Sequence, residues 1–307
     1  MTAIAFAGAL EIGLIFALVA LGVFISFRVI NFPDLTVDGS FPLGGAVVAT
    51  ALVMGWHPML ATLAAFVAGA LSGLVTGWLH VKLKIMQLLA GILMMIALYS
   101  INLRVMGKPN EPLLNTPTIF QLLPLDFIPE PWGTAVVLLV LTLLIKFALD
   151  WYFASESGLA MRATGGNARM TRAVGVSTDR LSLAALALSN GIVAVAGALF
   201  AQSQGGADVS MGIGTIVIGL AAVIIGETIL PGRTIAIATL GCIVGAVLYR
   251  MLIALGLNSD FIGLKAQDLN LVTAVLVAVA LVLPASRRYL VRRFTRAGGV
   301  RKEASTC

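Results

Sequence analysis

Apolar runs long enough to cross a membrane follow one another along this chain, each closed by a short polar or Pro/Gly border. That rhythm is the signature of successive transmembrane helices. It predicts spans over residues 4–27, 58–79, 85–106, 132–153, 181–201, 213–230, 234–257 and 269–283, with a shorter one over 42–55. The expected fold class is therefore all-α, a polytopic helical bundle of about eight to nine spans. Residues 1–290 form one transmembrane domain, and residues 291–307 form a basic tail.

Two polar interruptions break the rhythm. The first, residues 31–40, reads Asn-Phe-Pro-Asp-Leu-Thr-Val-Asp-Gly-Ser. Pro33 and Gly39 interrupt a regular helix, while Asp34, Thr36, Asp38 and Ser40 offer side chains to freed backbone groups. Ser40 or Asp38 would cap a helix starting near Pro42, because proline suits the first helical turn. Two readings stand side by side: a broken helix beside a solute pathway, or a surface loop with its acids in water.

The second interruption, residues 155–180, carries Arg162, Arg169, Arg172 and Arg180 without a lysine. It is either an ordinary positive-inside loop or a surface for a soluble partner. A short amphipathic helix with Gly165-Gly166-Asn167 inside it favours the partner. Gly158, Arg162, Gly165, Gly166, Asn167, Arg169, Arg172 and Gly175 are the candidate contact residues. Mid-span polar and soft residues are the other candidates. Met94, Tyr99, Asn102 and Asn190, with Asp34, Thr36, Asp38 and Ser40 from the break, are the expected lining of a solute path. Gly69, Gly73 and Gly77 recur at every fourth position, as Gly241 and Gly245 do later. Such a face lets helix backbones approach closely, within one bundle or across a dimer seam. The expectation is packing within the bundle.

Composition sharpens the class. The chain is 59% hydrophobic and 11% charged, with a mean hydropathy of +1.02, well below the roughly one-quarter charged residues of soluble domains. Its net charge of +6 does not point to nucleic acid, because seven basic residues cluster over residues 287–302, where they suit anionic lipid headgroups. Placing residues 155–180 in the cytoplasm puts sixteen of the 20 lysines and arginines on that side. That asymmetry orients the bundle with its N-terminus outside and its C-terminus inside. The first span is expected to be retained, since no basic segment precedes it. Two cysteines and two separated histidines give no disulfide or metal framework, and no cofactor is expected. Gly226 to Thr234 only imitates a phosphate loop: the spacing is long, arginine replaces lysine, and Pro231 removes a donor. No nucleophile stands beside a base, so the chain is not read as an enzyme.

Several blocks together resemble a known family. Leu18 to Val23 and Asn31 to Phe41 are similar to the start of bacterial ABC-importer permeases, in the group that contains the branched-chain amino acid and ribose permeases. Gly165-Gly166-Asn167, followed by Thr171 to Val176, resembles that group's coupling segment. Ser189 to Ala198 and Gly219 to Gly226 are similar to its later blocks. Thr171-Arg172 stands where the group has paired alanines, and Glu227-Thr228 where a second glycine is common. These departures resemble a branch associated with aromatic or other hydrophobic amino acids. The resemblance implies an inner-membrane permease working with separate ATP-binding cassette subunits, a periplasmic binding protein and a second permease subunit, expected to be a second copy. The segment 155–180 would then be a cytoplasmic coupling helix. The alternative is a secondary transporter or channel without an ATPase, which calls for deep coupling carboxylates; Glu11 and Glu227 both lie near span ends.

Overall fold

The computed structural model describes residues 3–114, 116–122, 132–232, 234–257 and 275. Apart from Val275, the expected span 269–283 lies outside this set, as do the tail 291–307, Arg233 and Lys265. Within it the chain is a polytopic helical bundle: α1 (Ala3–Val23), α2 (Val37–Val53), α3 (Pro58–Val81), α4 (Gln87–Met106), α5 (Gly133–Ala154), α6 (Glu156–Gly166), α7 (Ala168–Ala173), α8 (Thr178–Gln204), α9 (Thr215–Ile229) and α10 (Ile235–Leu257). Seven helical stretches are long and apolar enough to cross a membrane, and α2 is a shorter apolar helix. Two three-residue strands, β1 (Asn110–Pro112) and β2 (Gly206–Asp208), pair antiparallel with Glu111 opposite Ala207. They join the segments that follow α4 and α8.

Two helices make the centre. From Gly13 to Val23 every residue of α1 is buried, as expected of a helix that is apolar all round; α5, α8, α9 and α10 surround it. The middle of α8 is likewise enclosed, by α1, α2 and α3. The outer faces of α3, α4 and α5 instead expose Leu63, Leu71, Leu89, Leu93, Leu144 and Phe147, which suits a lipid solvent.

In lipid, helices gain little from hydrophobic exclusion and must associate by close packing. Small residues therefore face α8. A methyl built on Gly73 would sit 2.1 Å from the Leu186 carbonyl oxygen, and one on Gly197 would sit 1.8 Å from that of Phe41. Gly69, Gly73 and Gly77 all face α8, and Gly241 and Gly245 face α9. Both glycine stripes thus pack inside the bundle. A buried ion pair adds a lateral tie: Lys146 reaches Asp150 at 2.5 Å, and Thr239 of α10 donates to the same carboxylate at 2.7 Å.

The chain leaves α-helical geometry at two places inside this frame. After α1 comes a π-helical turn, Phe24–Val29, and then an irregular segment that returns into the bundle before α2 begins. α2 starts at Val37, not near Pro42, and Pro42 lies inside it. The helix is already established ahead of the proline, where the Leu35 and Thr36 carbonyls accept from the N–H groups of Asp38, Gly39 and Ser40. The second departure follows α8, where β2 and a 3₁₀ turn, Val209–Gly212, lead to α9.

Gly73→Leu should destabilise the protein by at least about 1–3 kcal/mol, since the opposing atoms are backbone and cannot rotate away. Gly8, with open space around its Cβ position, is the control. Thermal unfolding of the detergent-purified variants should show a lowered Tm for Gly73→Leu and an unchanged one for Gly8→Leu.

Candidate functional site: a buried polar knot, a mid-bundle cavity and a basic helix pair

The re-entrant segment is held by hydrogen bonds among fully buried groups. Asp34 accepts from the Thr36 backbone N–H at 2.9 Å and from Asn190 Nδ2 at 2.7 Å. Ser40 donates to Asn190 Oδ1 at 2.7 Å and lies 2.8 Å from the Ser72 hydroxyl. Thr36 and Thr76 pair their hydroxyls at 2.8 Å. Asp34, Thr36, Ser40 and Asn190 are all 0% exposed, so these four expected path residues join α2, α3 and α8 as a knot. Met94 is packed with Leu43 and Leu98. None of the five lines the cavity described next.

Asp38 has a different task. Its carboxylate accepts from the backbone N–H groups of Ile216 at 2.7 Å and Gly214 at 3.3 Å. It thus caps α9 from a position 178 residues away and offsets that helix's positive end. The first turns of α2 and α9 meet here, level with Met95 and Leu98 near the middle of α4. Beside them lies a cavity of about 440 Å³, in the size range of roughly 300–1,000 Å³ typical for small ligands. Asp38, Tyr99 and Asn102 from the expected lining meet at it, together with Pro42, Ile96 and Ile213. Asn102 donates from Nδ2 to the Gly39 carbonyl at 3.3 Å. That bond fixes the amide's orientation, and its Oδ1 is buried without a hydrogen-bond partner.

Residues 156–173 form two short helices, α6 and α7. Ser155 caps α6 by accepting from Gly158 N–H at 3.3 Å, and Asn167 caps α7 by accepting from Met170 N–H at 3.1 Å. Gly165 seats the pair on the bundle: a methyl there would lie 1.8 Å from the Val29 carbonyl oxygen, at the end of the π turn. A methyl on Gly158 would lie 2.3 Å from the Tyr152 carbonyl oxygen. Arg162 and Arg169 are exposed, whereas Arg172 folds back to Thr178 at 2.8 Å and Asp179 at 3.7 Å. Gly175 has φ +89° and makes the turn toward α8. Beside the pair, Arg28 of the π turn forms an ion pair with Glu227 of α9. The segment after Gly226 is no phosphate cradle, because Gly226 packs against the Gly241 backbone.

The family of branched-chain amino acid transport system permease components matches residues 6–283. The chain belongs to this permease family. The permease is 38% identical over 264 residues to the tyrosine transport system permease protein of Clostridioides difficile, covering 86% of each chain. It is 32% identical over 280 residues to the uncharacterized protein RP368 of Rickettsia prowazekii, across 89% of this chain and 95% of that one. The ribose import permease protein of Escherichia coli is 26% identical over 254 residues, across 81% of this chain and 76% of that one. No solved structure matches it.

Ser72 and Thr76 complete the knot but went unread as site residues, because a hydroxyl in an apolar span gives no signal beyond its polarity. The apolar residues Leu159, Met170 and Val174, exposed at 52%, 68% and 76%, were hidden among the arginines.

Asn190→Leu removes the amide hydrogen bond to buried Asp34 and should cost about 1.5–3 kcal/mol. Adding Asp34→Asn removes the stranded charge, so the double variant should be more stable than Asn190→Leu alone. Thermal unfolding of the two singles and the double provides the check.

Proposed function

We propose that the permease is the membrane subunit of an ATP-driven importer for an amino acid with a hydrophobic side chain. Two copies form the path, separate ATPase subunits dock beneath them, and a solute-binding protein delivers cargo from outside. The C-terminus is cytoplasmic, and the membrane is a bacterial inner membrane. Hydrolysis belongs to the partner, since this chain carries no nucleotide loop.

The observation that carries this reading is the surface of α6 and α7. Leu159, Met170 and Val174 are exposed there beside Arg162 and Arg169. Exposed apolar side chains interspersed with arginines are the composition of a protein-binding surface. The patch is attached to the bundle through Gly165 on Val29, so a push on α6 reaches the π turn directly. From the π turn, the Arg28–Glu227 pair leads to α9, and Asp34 leads to the start of α2. Those are the two helices whose first turns border the cavity. Closure of the ATPase subunits would thereby move the walls of the path.

The resemblance to the tyrosine transport system permease supports amino-acid cargo, and the apolar residues of the cavity suit a hydrophobic side chain. Selection among such solutes rests mainly on the binding protein.

Affinity purification of the tagged chain from its native membranes should recover a P-loop ATPase near equal stoichiometry. Recovery of the chain alone, with uptake that does not need ATP, would overturn the reading. Arg169→Glu with Met170→Glu should lower ATP-driven uptake about tenfold or more, as expected when a central interface contact is lost. The double variant should still insert in the membrane at wild-type levels. Arg172 is excluded from this test because it holds α8.

A further inference from the structure

We propose that the cavity between α2, α4 and the start of α9 is the cargo's resting site in the membrane, with Asn102 Oδ1 as the acceptor for the solute's α-ammonium group. This rests on the amino-acid reading above and names the atom that recognises the head group.

The unpartnered oxygen is the starting point. A buried amide oxygen without a donor costs free energy, and native proteins keep few of them. Here the bond from Asn102 Nδ2 to the Gly39 carbonyl excludes the flipped amide that would otherwise relieve it. Oδ1 is covered in this structure and Asn102 borders the cavity, so a small opening there lets an arriving ammonium group supply the missing donor.

The surrounding charges favour a zwitterion. Asp38 carries the cavity's negative charge, yet two α9 backbone N–H groups already bond it and the first turns of α2 and α9 meet beside it. Two positive helix ends of roughly half a charge each balance one carboxylate, so the site is near neutrality. Among the described residues, no lysine or arginine lines it. A free cation or anion would be unbalanced there, while a zwitterion brings no net charge. Its ammonium meets Asn102 Oδ1 and the spare lone pairs of Asp38, and its carboxylate meets the Tyr99 hydroxyl. Met95, Ile96 and Ile213 leave an apolar wall for the side chain.

Exposure points the same way. Tyr99 is 56% exposed on the flank of α4, and Ser100 beside it is exposed as well. Hydroxyls at the middle of a span are costly against lipid tails and suit a face that lines a watery path.

Cysteine protection tests the proposal in the full chain. Ser100→Cys, in a Cys307→Ser background with buried Cys242 retained, is labelled in membrane vesicles with a trimethylammonium methanethiosulfonate. L-Phenylalanine should slow labelling, whereas 3-phenylpropionate, which lacks only the ammonium group, should not. Asn102→Leu should raise the phenylalanine concentration for half-protection about tenfold or more, as expected for a lost charge-assisted hydrogen bond. Asn102→Asp keeps an acceptor and should retain protection. Equal protection by both probes, or by neither, overturns the proposal even if Asn102→Leu does not accumulate. ATP-driven uptake of labelled phenylalanine, measured in parallel, separates the two claims. Uptake without protection removes this site alone; protection without uptake removes the importer reading and leaves the site.

Discussion

The structure depends on one constraint: a backbone that leaves helical geometry inside a membrane must find partners for its N–H and C=O groups within the protein. Among the described residues the chain leaves it twice, between α1 and α2 and between α8 and α9. An aspartate answers each departure. Asp34 takes a backbone N–H from its own turn and is tied to the middle of α8 through Asn190, while Asp38 takes two N–H groups from the start of α9. Neither break stands alone, since the segment that holds Asp34 also positions Asp38. The knot therefore fixes where α9 begins.

Such a knot forms only if the helices around it come unusually close. Gly44 and Gly197 bring α2 onto α8, and Gly73 brings α3 onto its other side. At those crossings backbone meets backbone, which leaves short hydroxyls such as Ser40, Ser72 and Thr76 within 2.8 Å of their partners. Larger residues would separate the helices and strand Asp34. Small-residue packing and polar satisfaction are thus two aspects of one arrangement.

Much of this was legible in the sequence. The described spans follow the hydropathy pattern because each apolar run is bounded by residues that cannot remain in lipid. The start of α2 was misplaced because Pro42 resembles a first-turn proline, although its helix had begun one turn earlier through Leu35 and Thr36 carbonyls. The Gly69/Gly73/Gly77 stripe announced a close contact but not its partner, since the pattern reads the same for α8 as for another copy. Among the expected path residues, chemistry alone could not separate Asn190 from Asn102. Both are mid-span amides; one has every polar atom satisfied and the other retains a bare oxygen. That distinction depends on neighbours distant in sequence. Arg172 illustrates the same limit, for its partners on α8 become neighbours only once α7 turns back at Gly175.

The geometry also explains why a π turn and a glycine sit where they do. A π turn holds an extra residue per turn and is a common device at functional sites. Here it ends at Val29, whose carbonyl lies under Gly165. A side chain at 165 would act as a cushion between α6 and the bundle; its absence makes the contact backbone on backbone and therefore stiff. Beyond that contact the chain divides into two routes, one through Arg28 to the far end of α9 and one through Asp34 to the start of α2. Both routes end on helices that border the cavity, and Asp38 joins them there. α9 is thus tied at both ends, by the ion pair to the π turn at one and by the carboxylate cap to α2 at the other.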